Sequence, residues 1–385
     1  MLIIATIIMH GDRRMISFDA FERGLKETGR PVVGCFPLYP PLELFHAMGF
    51  NPIVLWGLKP YITSTSASDK HVQTFACSVG RHVVEFLLSS KAAMVDSIFF
   101  YNACDTLRNL PEILSRNMCG DGRQVKFYHY HVPMQGFDGA SGRDYFKGEI
   151  SRLVSSIEKD HHVTFSNRSF QESVEKFRTM RDLCIKLQER VAIGQLGFGR
   201  YARAVHDSYL MPVEKAIDAL KSLARESSAS PRREGFHRVI LSGILPPSPD
   251  LSDAMDRAGM VVVANDIASM HRSFQHTPRF DGDVGDYYVD FYSRHCPCPT
   301  LIFTADHRAN YLVELAKRNG VEGMIFVGEK FCEYEYLEFP HIETIFKQNG
   351  IPVLSLELSI DDRDNIAPLK SRIEAFAEML GSKGT

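Results

Sequence analysis

The sequence predicts an α/β protein, with two doubly wound parallel-sheet lobes joined by a helical segment. Three observations predict it. Short apolar runs bounded by Gly and Pro alternate with helical patterns, once early and once late in the chain. The stretch between these two sets shows helical periodicity alone. The composition, 44% apolar and 24% charged over 385 residues, is that of an ordinary globular protein.

Residues 1–30 read as an N-terminal tail and helix. Leu2 to Met9 is apolar apart from Thr6 and runs into His10, Asp12, Arg13 and Arg14. A secretory signal carries its positive charge before the apolar stretch and a small-residue cleavage site after it. This segment has neither. It reads as a loose tail, or as sequence upstream of a true start at Met15, and the expected location is cytoplasmic.

Residues 31–139 form the first lobe. Pro31 to Phe36 is strand-like and meets Pro37, Pro40 and Pro41; the helix Leu42 to Met48 follows and Gly49 closes it. Pro52 to Trp56 reads as a buried strand. A helical pattern at Val79 to Leu88 precedes strands at Ser97 to Tyr101 and Val125 to Tyr130.

Residues 140–230 form the helical link. Phe146, Ile150, Leu153 and Ile157 share one helical face; Phe177, Met180, Cys184 and Leu187 share another. The polar break Glu226 to Pro231 ends it. The second lobe, 231–385, repeats the strand–loop–helix plan. Strands are expected at Arg238 to Gly243, Met260 to Ala264, Gly323 to Val327 and Pro352 to Leu358. Helices are expected at Leu251 to Ala258, Tyr311 to Arg318, Ile342 to Gln348 and Leu369 to Leu380.

The charge sum, 44 Lys and Arg against 47 Asp and Glu, leaves −3. No polyanion-binding surface is indicated, so nucleic acid is not an expected partner. No apolar run approaches the ~20 residues of a spanning helix, so no membrane partner is expected.

Eight cysteines are present. Disulfides are rare in cytosolic proteins, which leaves metal binding, catalysis or burial. No CxxC pair occurs, so a zinc ribbon is not indicated. Cys296-Pro297-Cys298 is the one close pair, able to share a metal or simply to be buried.

Open parallel sheets bind ligands beyond the carboxyl ends of their strands. Cys104 follows one strand closely, Cys332 follows another, and Cys77 lies just before a helix. Facing lobes would bring these thiols to one cleft. Three converging thiolates suit an iron–sulfur cluster with one iron left open. Free cysteine is also commonly buried and inert, and spacing leaves both readings open. Glu43 and His46 follow the proline turn and could serve as base and donor; a first-turn Glu also suits the helix dipole. Asp105 and Arg108 have the spacing of a capping pair. Arg272 and Arg372 could meet phosphates or stay at the surface.

Several stretches together resemble the 2-hydroxyacyl-CoA dehydratase and benzoyl-CoA reductase family. They are Gly34 to Gly49, Phe75-Ala-Cys-Ser78, Cys104-Asp-Thr-Leu107, Gly243 with Val261 to Asp266 and Arg272, Gly320 to Cys332, Gly350-Ile-Pro-Val-Leu354 and Arg372-Ile-Glu-Ala-Phe376. The resemblance runs from about residue 25 to 380. It implies a 4Fe-4S cluster on Cys77, Cys104 and Cys332, in the cleft between the lobes. It also implies an acyl-CoA substrate, a paralogous partner subunit and a separate ATP-dependent iron–sulfur activator that delivers one electron. The implied reaction is loss of water from an (R)-2-hydroxyacyl-CoA, through a ketyl radical, to the 2-enoyl-CoA. Oxygen lability and an anaerobic host follow from it. The sequence departs in having Asn265-Asp266 where two Asp are frequent. The Cys104 to Leu110 run has a flavour of the aromatic-ring reductase branch. A benzoyl-CoA-type reductase subunit and a non-catalytic paralogous subunit therefore stand as alternatives.

Overall fold

The computed structural model describes residues 16–118, 125–134, 136–231, 235–298, 300, 301, 306–359 and 366–382. The expected tail at Leu2 to Met9, the proposed start at Met15 and Cys119 lie outside them.

The first lobe opens with α1 (Phe18–Lys26), capped by Ser17, and continues through β1 (Val32–Cys35), α2 (Leu42–Ala47) and β2 (Asn51–Val54). It then runs through α3 (Ser78–Leu88), β3 (Ser97–Tyr101), α4 (Asp105–Asn117) and β4 (Lys126–Tyr130). The middle holds α5 (Ala140–His161), α6 (Asn167–Ala192), α7 (Phe198–Ser208) and α8 (Val213–Ser228). The second lobe has β5 (His237–Gly243), α9 (Pro249–Arg257), β6 (Met260–Ile267), α10 (His271–Phe274) and α11 (Val284–Ser293). It ends with α12 (His307–Arg318), β7 (Gly323–Glu329), α13 (Glu333–Gln348), β8 (Val353–Leu358) and α14 (Ile366–Ser382).

Among the described residues each lobe carries a four-stranded, wholly parallel sheet. The strand orders are β2-β1-β3-β4 and β6-β5-β7-β8, the same winding twice. The winding reverses between β1 and β3 in one sheet and between β5 and β7 in the other. Strands buried on both faces read as continuous apolar runs, as Ser97–Tyr101 and Gly323–Glu329 do.

Three expected elements differ. Trp56 is not in a strand: the chain leaves the sheet after Val54 and enters a 3-10 helix at Leu55–Tyr61. The Val54 N–H instead donates to the Tyr209 carbonyl at 3.0 Å, and Gly57 and Pro60 are poor ladder residues. Glu226 to Ser228, read as a break, is the last turn of α8. The helix expected at Ile342 begins nine residues earlier, at Glu333, and contains Pro340.

The middle helices tie the lobes together. α6 packs on α2 from the first lobe and on β6 from the second, and α11 packs on α5. One continuous apolar cluster therefore runs from Phe21 through Leu187 to Leu380. A smaller cluster lies under α12 and α13. Gly243 ends β5 where a Cβ would collide with the Val327 carbonyl oxygen, so only glycine lets β7 close there. Among the described residues no helix is long and apolar enough to cross a membrane.

Candidate active site

Cys77, Cys104 and Cys332 line one cavity of about 400 Å³. Its walls follow from the winding. Phe36 and Leu38 come just after β1, Cys104 after β3, Ile244 and Leu245 after β5, and Cys332 after β7. These are the strand ends flanking both reversal points, where open α/β sheets bind ligands.

Each of the three cysteines is the N-cap residue of a helix: Cys77 of α3, Cys104 of α4 and Cys332 of α13. Three positive helix ends thus point at one space, which favours negative charge there. Burial pushes the Cys77 thiol up to about 12, and Cys104 adds to the shift. Burial also raises Cys104 and Cys332, the latter further through Cys77. The backbone N–H groups of Gly80, Leu107 and Glu335, each three residues on, pull the thiols back down. None of them makes a capping hydrogen bond of normal geometry. A group holding these sulfurs must displace their protons.

Among the described residues, no group of three or more His, Cys, Asp or Glu is arranged to hold a single metal ion. Three cysteine thiols on one cavity are the kind of donor that iron–sulfur clusters take.

A family profile described as 2-hydroxyglutaryl-CoA dehydratase, D-component, matches residues 37–380. This chain belongs to that family. The (R)-phenyllactyl-CoA dehydratase beta subunit of Clostridium sporogenes is 26% identical over 362 residues, covering 92% of this chain and 93% of the relative. The beta subunit of (R)-2-hydroxyglutaryl-CoA dehydratase from Acidaminococcus fermentans is 25% identical, over 92% of this chain and 94% of its own. A benzoyl-CoA reductase subunit of Thauera aromatica is 22% identical over 92% of each.

In this dehydratase-family chain, three side chains hold the lobes across the cavity. Glu329, at the end of β7, accepts from Lys59 Nζ at 2.8 Å and from Ser78 Oγ, next to Cys77. Behind Cys332 lies a buried ion network. Arg308 donates to Asp266 Oδ2 and Glu335 Oε2, each at 2.9 Å, and Arg272 donates to Glu335 Oε1 at 2.9 Å. Glu335 lies in the first turn of α13, so the network anchors the helix that Cys332 caps. Burial raises the Glu335 carboxyl, but Arg308 and Arg272 outweigh it and hold it low.

This network corrects one expectation. Arg272 is fully buried and engaged by Asp266 and Glu335, so it is not available to phosphates. Arg372 donates to the Ser355 carbonyl at 2.8 Å on the surface. Asp105 and Arg108 form an exposed pair at 3.4 Å.

Glu43 and His46 do not join the cysteines; neither lines their cavity. α2 turns them toward the middle helices instead. Glu43 is fully buried, paired with Arg181 at 2.6 Å, and accepts from Tyr287 at 3.1 Å. His46 meets Ser173 at 2.7 Å and Glu214 at 3.3 Å, and burial lowers its basicity. Their geometry is that of a joint between the first lobe and the middle helices. Cys296 and Cys298 are buried; Cys298 accepts from Arg272 at 3.0 Å and Tyr39 at 3.1 Å.

Sequence reasoning missed Glu335, Arg308 and Glu329. Glu335 had a signal, standing three residues after a helix-capping cysteine. Arg308 and Glu329 carried none, because their partners are distant in sequence.

Proposed function

We propose that this chain is one subunit of a radical 2-hydroxyacyl-CoA dehydratase, eliminating water from an (R)-2-hydroxyacyl-CoA to give the 2-enoyl-CoA. One observation carries the reading: thiols from both lobes share one cavity at the reversal points of both sheets. Cys77, Cys104 and Cys332 would hold a 4Fe-4S cluster there. When bound, such a cluster supplies one-electron chemistry and an iron without a protein ligand.

The chain's own residues supply the rest. The three helix N-termini stabilise negative charge on the thiolates. The Glu329 link to Ser78 and Lys59 fixes the distance between the lobes. Phe75 and Phe331 line the same cavity and stand 66% and 45% exposed. Exposed aromatics at such a rim suit burial by a second, paralogous subunit. That arrangement agrees with the beta-subunit names of the relatives. A separate ATP-dependent activator would supply the electron, in the cytoplasm of an anaerobic host.

The second reading, a benzoyl-CoA-type reductase subunit, is favoured by the Thauera relative and by the Cys104 to Leu110 run. One assay separates the readings. The chain is combined without oxygen with its paralogue and activator, and offered ATP with a 2-hydroxyacyl-CoA or with benzoyl-CoA. Enoyl-CoA formation that falls to background in Cys332→Ser is expected. Ring reduction of benzoyl-CoA instead moves the chain to the reductase branch. Turnover that survives Cys332→Ser assigns it a non-catalytic role.

A further inference from the structure

A second large cavity, of about 510 Å³, lies beside the cysteine cavity and shares Trp56, Leu245 and Glu329 with it. The dehydratase reading leaves it unused. Pro247, Leu251, Val327 and Leu369 represent its mostly apolar wall.

Two polar groups of this cavity are unmatched among the described residues. Trp56 is only 4% exposed, and its indole N–H has no acceptor there. Arg203, on α7, has a buried Nη1 without a partner there. The other charged or titratable groups of the lining are Lys59, His206, Asp250 and Glu329. Lys59 and Glu329 pair with each other at 2.8 Å. His206 bonds the Gly57 carbonyl and Asp207. Asp250 lies exposed at the start of α9. A guanidinium N–H left unpaired against an apolar wall is costly, and a bound anion relieves that cost.

We propose that this cavity is a second ligand site for a hydrophobic carboxylate, with Arg203 as its counter-ion and the Trp56 indole N–H as a further donor. The walls call for a hydrocarbon body, and the unpartnered Arg203 Nη1 calls for one anionic acceptor. A nucleotide or sugar phosphate would set polar surface against those walls. Because Trp56, Leu245 and Glu329 form the partition, occupancy here reaches the cysteine cavity, and the Glu329 link carries it to the start of α3.

The chain itself provides the probe. Trp56 is its only tryptophan, so intrinsic emission reports on this partition alone. The full chain, purified without oxygen, is titrated with octanoate, 1-octanol and acetate. Octanoate is expected to shift the emission saturably, with half-saturation about tenfold below that of octanol, and acetate is expected to be silent. Arg203→Gln is expected to bring octanoate to the octanol value. The proposal is overturned if octanol matches octanoate, if octanoate gives no saturable change, or if Arg203→Gln binds octanoate as tightly as the parent. Should that variant not fold, the comparison of ligands on the parent chain decides alone. The probe carries no thioester and needs no cluster, so its failure leaves the dehydratase reading intact, and loss of that reading leaves this site intact.

Discussion

Glu43 is held by one guanidinium and a tyrosine hydroxyl inside the core, and that environment sets what a substitution does. Glu43→Gln leaves Arg181 buried without its counter-charge. A loss of about 3 kcal/mol is expected in urea unfolding, with bound iron per folded chain unchanged. A loss of iron without a loss of stability would return Glu43 to the cysteine site. His295 gives a pH signature. Its ring packs on Tyr39 with centroids 4.0 Å apart, and neither ring nitrogen has a partner among the described residues. Burial, with Arg272, His276 and Arg181 nearby, pushes it down to about 3. An imidazole in the unfolded chain titrates near about 6.5. Between these values the unfolded chain takes up the proton and the fold does not. Stability therefore falls as pH drops below about 6.5, by at most about 1.4 kcal/mol per pH unit. Urea midpoints from neutral to mildly acid pH should show a shallower slope in His295→Gln; an identical slope contradicts the assignment. The residue scale also marks the limit of sequence reading. That Cys77, Cys104 and Cys332 meet at one cavity was legible, because strand ends and helix starts are local signals. Glu43 was not, because its partner Arg181 belongs to a helix far along the chain.

At the scale of elements, α13 shows both what was legible and what was not. Its C-terminal half was expected from apolar periodicity, but Pro340 hid the first half. A proline usually ends such a pattern. Here packing overrides it: Phe339 stacks on Phe326 of β7, with centroids 4.0 Å apart. The first turn is then held by Glu335 in the ion network. Glu335→Gln should cost about 3 kcal/mol. It should also lower iron content, because Cys332 loses a fixed helix start. Metal analysis beside urea unfolding tests this, and full iron content in a destabilised variant would detach the network from the site. The 3-10 turn at Leu55–Tyr61 makes a similar point. Reading Pro52 to Trp56 as strand put Trp56 inside the sheet, whereas the turn sets it between the two cavities.

For the whole molecule, the two-sheet plan was visible in the alternation of apolar runs and helical patterns. The identical winding of the sheets was not, because strand order depends on which crossover packs where. The continuous apolar cluster joins both lobes through the middle helices. The chain should therefore unfold in one step, with Trp56 emission and far-UV dichroism giving coincident curves. Separated transitions would show lobes that fold independently. The central claim is that Cys77, Cys104 and Cys332 jointly hold one cluster. Its most direct test is iron and acid-labile sulfide measured on the oxygen-free chain and on the three single Cys→Ser variants. The account predicts iron and sulfide in equal amounts in the parent, and loss of both in every variant that keeps its far-UV spectrum. A parent chain free of iron, or a folded variant that retains the full amount, would contradict it.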